Sequence, residues 1–128
     1  MTTTQQLNHW MRHDPTYLGA FSLNTMPSAM SSEAASFIVN THTYNLPGQH
    51  WMAVRRIQQD AWIFDPLAFP PVPELCNYLL SLCHNLHICK VNAQPAQTQT
   101  CGQHCVYYLY NARAAPSESI VKSFVTSL

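Results

Sequence analysis

Charge is what this sequence has least of. Only 9% of its 128 residues are Asp, Glu, Lys or Arg, against roughly a quarter in an average domain. Six basic and six acidic residues cancel at pH 7 with the histidines neutral, so no basic surface for nucleic acid is implied. Such a surface also repels its own kind weakly, which predicts poor solubility. No apolar run approaches the ~20 residues that a membrane-spanning helix needs. The opening Met1-Thr-Thr-Thr-Gln-Gln lacks the apolar stretch of a secretory leader. There is no internal repeat and no linker long enough to separate a pair of domains. Residues 1–128 are therefore expected to form a single domain.

What is present is a foldable chain with unusual polarity. It is 47% hydrophobic, which excludes disorder as its general state. Its polar residues are mostly Gln, Asn, Thr, Ser and His. The cysteines at 76, 83, 89, 101 and 105 are odd in number and all lie in the second half. With no leader, that pattern predicts free thiols in a reduced, intracellular setting.

The expected elements follow from periodicity. Residues 3–11 read as a short helix with Leu7, Trp10 and Met11 on one side, stopped at Asp14-Pro15. Tyr17 to Phe21 reads as a turn-containing apolar patch, and residues 22–32 as loop. Ser36–Asn40, His50–Arg55 and Ala61–Asp65 read as three strands, the last two joined by a turn at Gln58-Gln59-Asp60. A loop with a Pro47-Gly48 turn lies before His50. After a proline-rich connection, residues 74–85 read as a helix and residues 86–91 as a fourth strand. Ser117 or Ser119 caps a last short helix through Val125. The fold class is thus α+β: a small mixed or antiparallel sheet of about four strands packed against helices.

The stretch that organises the chain runs from Gln94 to Tyr110. A polar run ends at Cys101-Gly102, and Cys105, Tyr108, Leu109 and Ala112 then mark the inner face of a helix. Thr98 or Thr100 can cap it, and it ends near Ala115-Pro116. A thiol in the first turn sits at the positive end of the helix dipole, where a thiolate is stabilised. Gly102 leaves room for another group to approach the sulfur. Nucleophilic catalysis by a thiol also needs a base, a group that orients the base, and a donor for the oxyanion. His50 opens one strand and Asp65 closes its hairpin partner, so imidazole and carboxylate become neighbours. Gln94, Gln97 and Gln99 are the candidate oxyanion donors.

Each residue has a plainer reading as well. Cys101 could be a core thiol, His50 a strand-end surface residue, Asp65 the start of the Pro66 turn, and Trp51 ordinary core. Cys105 reads as core, and His9, His13, His42 and His104 as surface or loop residues. Cys83, His84, His87 and Cys89 invite a zinc reading, but they straddle a helix end and a strand with no common module spacing. No metal is therefore assigned.

Taken together, Phe37-Ile-Val-Asn-Thr41, His50-Trp51-Met52-Ala53, Ile63-Phe64-Asp65-Pro66, Gln94 and Cys101-Gly102 resemble the adenovirus-type (adenain-like) cysteine endopeptidases. Those enzymes belong to the wider SUMO-protease fold group, with the papain-like placement of the nucleophile at a helix N-terminus. Tyr17-Leu18-Gly19 is similar to the family's N-terminal segment, so the resemblance spans roughly residues 17–113. It implies a Cys-His-Asp thiol protease. By resemblance, His50 is the general base, Asp65 its orienter, Cys101 the nucleophile, and Gln94, seven residues earlier, an oxyanion donor. Trp51 would wall a narrow substrate cleft, and Gly102 would belong to the substrate-binding face. The implied substrates are viral precursor proteins cleaved at Gly-containing sites. The implied setting is the host-cell interior, including nucleus and virion.

The resemblance also has departures. Asp65 stands where many adenoviral members have Glu, a choice shared with the SUMO-protease branch. That branch implies a second reading, deconjugation of a ubiquitin-like modifier; a non-catalytic binding module with the same cleft is a third. The family takes DNA and a disulfide-linked peptide as activators. The neutral charge speaks against DNA, and Cys83 and Cys89 are both candidates for the peptide linkage. No other cofactor and no membrane partner is required by the sequence.

Overall fold

The computed structural model describes residues 2–28, 30–40, 50–89 and 101–112. Among these residues a five-stranded sheet runs in the order β1-β2-β3-β4-β5: Tyr17–Ser22, Ala35–Asn40, Trp51–Ile57, Asp60–Phe64 and Asn85–Cys89. The inner pairs β2–β3 and β3–β4 are antiparallel, and the outer pairs β1–β2 and β4–β5 are parallel. The fold class is α+β, as expected, with one strand more than the sequence suggests.

The added strand is β1, expected to be an apolar turn. Its pairing with β2 shifts register between Tyr17 and Ala20, and Gly19 within that shift has φ +142. A bulge of this kind breaks the two-residue alternation by which a strand is read from sequence.

The sheet is covered on both faces. Residues of alternate parity along each strand point to opposite sides. Ile38, Trp51, Ala53, Phe64 and Cys89 face one side. There they meet Leu7 and Met11 of helix α1 (Thr4–Trp10) and its following residue, with Cys101, Cys105, Tyr108 and Leu109 of helix α3 (Cys101–Asn111). Phe64 and Tyr108 stack there at 4.6 Å between ring centroids. Phe37, Val39, Met52, Val54, Ala61 and Ile63 face the other side, toward Leu75 and Leu79 of helix α2 (Pro73–Leu80) and Cys83. All six residues of β2 are buried, as a strand covered on both faces requires.

The helices start and stop for local reasons. Thr3 and Gln6 form a reciprocal capping box at α1. Pro73 opens α2, where its missing N–H costs nothing. The sequence predicts that α2 runs to residue 85, but it ends at Leu80. The His84 and Asn85 amides both donate to the Gln59 carbonyl of the β3–β4 turn, which diverts the chain into β5. No helix of the described residues is long and apolar enough to cross a membrane. The expected capping threonines, the loop around Pro47-Gly48 and the last short helix lie outside the described residues.

Candidate active site

Three chain segments converge at one end of the sheet. His50 immediately precedes β3, Asp65 immediately follows β4, and Cys101 is the first residue of α3. The antiparallel register runs from Ile57 opposite Asp60 to Ala53 opposite Phe64, so its continuation brings the open ends of the two strands together. His50 Nε2 donates to Asp65 Oδ2 at 2.9 Å, as the sequence predicts. Both residues are buried, at 4% and 3% exposure.

Asp65 is fixed from a second side. Its Oδ1 accepts from the Leu67 amide at 2.8 Å, and its carbonyl accepts from the Ala68 amide at 2.9 Å. Ala68 has φ 56 and turns the chain back at this point. The turn delivers Phe69 to a position over the His50 ring, with centroids 5.6 Å apart and planes tilted by 48°. Asp65 thus divides its carboxylate, one oxygen holding the turn and the other meeting the imidazole. Phe69 was not legible as a site residue, because only the turn geometry brings it back to the imidazole.

His50 also interacts with the Cys101 side chain. With Nε2 committed to Asp65, Nδ1 is the ring nitrogen left for the sulfur. Burial pulls the imidazole toward its neutral form. Hydrogen bonding to Asp65 and to Cys101, with their charges, outweighs burial and raises the pKa to about 9. Both neighbours thus favour the protonated ring. Cys105, one turn further along α3, is fully buried, and its thiol donates to the Trp51 carbonyl at 3.4 Å. Burial, and then the charges of Cys101 and Asp65, push it well above the usual thiol range, so it stays a core thiol.

Gln94, Gln97 and Gln99 lie outside the described residues. Trp51 is 2% exposed and packs in the same cluster as Cys101. Its indole N–H and the Asn40 side-chain oxygen are buried without a hydrogen-bond partner among the described residues. Asn40 is the cross-strand partner of Trp51. Gly102 packs directly against Thr2, a neighbour that no pattern in the sequence announces. His104, expected at the surface, is 4% exposed on the inner side of α3, and burial lowers its pKa.

The zinc reading does not survive topology. Cys83 packs on the α2 side of the sheet and Cys89 on the α3 side. His87 is instead bonded to Asp60 at 2.8 Å and stacked on Trp62. Among the described residues no group of three His, Cys, Asp or Glu side chains could hold a metal ion.

No family model matches the chain, and no curated protein matches it. Among solved structures, the crystal structure of the Se-Met ASFV pS273R protease matches with a TM-score of 0.58 at 16% sequence identity. The match covers 71% of this chain and 39% of that one. The fold is similar to that of a viral cysteine protease. At this identity the likeness is one of fold, and this chain spans about two fifths of that protein's length.

Proposed function

We propose that this chain is a cysteine endopeptidase in which Cys101, His50 and Asp65 form the triad. One observation carries the reading: a buried imidazole takes Asp65 on one nitrogen and meets the Cys101 side chain as well, at the start of a helix. The fold's likeness to a viral protease supports it.

In this mechanism the imidazolium stands beside a thiolate that the N-terminus of α3 also favours. The sulfur attacks a peptide carbonyl carbon and forms a tetrahedral oxyanion. The backbone N–H of Cys101 and the side chain of Gln94 donate to that oxygen. His50 passes its proton to the leaving amine, and the C–N bond breaks to leave a thioester. His50 then takes a proton from water, whose oxygen attacks the thioester carbonyl; the C–S bond breaks to release the acid and the thiolate, which restores the imidazolium–thiolate pair. Trp51, in the cluster that holds Cys101, restricts the space beside the sulfur to residues without a Cβ, hence Gly near the scissile bond. Viral precursor proteins are the substrate class by family resemblance. Asp rather than Glu at position 65 favours a second reading, a protease that removes a ubiquitin-like modifier.

Fluorogenic Gly-Gly peptides and a panel of ubiquitin-like fusions, assayed with Cys101→Ser as control, test the proposal. Cleavage of precursor-type peptides is the expected result. Cleavage of only the ubiquitin-like fusions would shift the assignment to the second reading. Tight binding without turnover would make the chain a binding module. Loss of Gln94 acts in the transition state, so Gln94→Ala should lower kcat about a hundredfold while KM changes little. Gln97→Ala should cost less than about fivefold.

A further inference from the structure

Gly102 follows the nucleophile directly, and the side chain packed on it is that of Thr2. A Cβ built on Gly102 would lie 2.7 Å from Thr2 Cγ2, 2.9 Å from Thr2 Cβ and 3.0 Å from Thr2 Oγ1. Rotation of Thr2 about χ1 only exchanges the γ atoms and leaves its Cβ in place. Relief would therefore take a backbone shift, either of the residues around Thr2 or of the first turn of α3.

The residues around Thr2 are poorly placed to yield. Thr2 is 5% exposed, and its hydroxyl donates to Gln103 Oε1 at 3.2 Å. The capping box of α1 begins at the next residue. Leu7 and Met11 are fully buried against Cys101, Cys105, Tyr108 and Leu109. At the far end the Tyr110 hydroxyl donates to the Trp10 carbonyl. Helix α3 is thus fastened to the N-terminal segment at both of its ends, and its catalytic end rests on Thr2.

We infer that Thr2 is a positioning residue for Cys101: it fills the space that Gly102 leaves and fixes the first turn of α3 where the sulfur meets His50. The inference rests on the reading of Cys101 as the reactive thiol. It replaces the usual reason for a glycine after a nucleophile, room for substrate, by a contact inside the chain. The two reasons differ in consequence. If substrate needs the room, alanine at 102 is harmful whatever stands at position 2. If Thr2 needs the room, cutting Thr2 back relieves the harm, since alanine is otherwise the better helix former.

The test compares the unaltered chain, Gly102→Ala, Thr2→Gly and the double variant. The readout is the alkylation rate of Cys101 by limiting iodoacetamide at pH 7, resolved by peptide mass spectrometry, with half-buried Cys76 as internal reference. A small alkylating agent needs no substrate cleft. Gly102→Ala should slow Cys101 about tenfold relative to Cys76, within the hundredfold that a misplacement of about 1 Å can cost. Thr2→Gly should slow it about threefold, and the double variant should return to within about twofold of Thr2→Gly. A double variant as slow as Gly102→Ala, or a Gly102→Ala as fast as the unaltered chain, would overturn the inference. If circular dichroism shows Gly102→Ala unfolded, recovery of the fold in the double variant supports the same contact, and failure to recover it overturns it. Slow labelling of Cys101 in the unaltered chain would instead sink the nucleophile assignment, and this inference with it.

Discussion

Strand β4 carries a histidine–aspartate pair at each end, and the two differ in everything but distance. Asp60 opens the strand and binds His87 Nε2 at 2.8 Å; Asp65 follows the strand and binds His50 Nε2 at 2.9 Å. The side chains of the first pair are 47% and 39% exposed, and those of the second 4% each. Water and salt screen the outer pair, which adds little beyond the stacking of His87 on Trp62. The inner pair is unscreened, so every group in it needs a partner. Asp65 has the Leu67 amide as well as His50, and His50 has Cys101 as well as Asp65. Contact distance alone does not mark a site. Burial and a third group do.

Four substitutions can break or sharpen this contrast. The largest effect belongs to His50→Ala, which should lower kcat/KM for peptide hydrolysis by about 10²–10⁴. His87→Ala should stay within about twofold. Steady-state kinetics on folded variants decide it, and equal losses would erase the distinction between the pairs. Asp65→Asn comes next. His50 and Leu67 use different oxygens of Asp65, and in the amide one of these becomes an NH2 that cannot accept, so a loss is expected that is smaller than for His50→Ala. A loss as large as that of His50→Ala in a folded protein would mean that the carboxylate charge matters more than its geometry. A smaller loss within the inner site is that of Phe69→Ala, which admits water over the imidazole. An aromatic contact is worth about 0.5–1.5 kcal/mol, so a roughly threefold loss in kcat/KM is expected, with no change for an exposed aromatic elsewhere.

Much of the site is readable from sequence because the decisive pieces are local. A hairpin brings its open ends together, so His50 and Asp65 follow from two strands and one turn. Cys101 follows from a polar run that becomes an apolar helical stripe. What escapes such a reading depends on contacts distant in sequence. β1 is hidden by the bulge at Gly19, and the end of α2 is set by a carbonyl in the β3–β4 turn. Phe69 reaches His50 only because Ala68 adopts a positive φ. Thr2 meets Gly102 across 100 residues of chain. His104 reads as a surface histidine because a polar residue on an apolar helix face carries no periodic signal.

The proposed triad stands or falls on the charge state of His50. Its pKa is raised to about 9 by Asp65 and Cys101 against the opposing effect of burial. A histidine whose folded-state value lies above its ordinary ~6.5 adds stability that is fully present below that value. That contribution is lost as pH rises through about 9. Titration of the His50 ring by nuclear magnetic resonance measures the claim directly. The expected midpoint is about 9, and it should fall in Asp65→Asn and in Cys101→Ala. A midpoint near the ordinary ~6.5, indifferent to both substitutions, would contradict the triad.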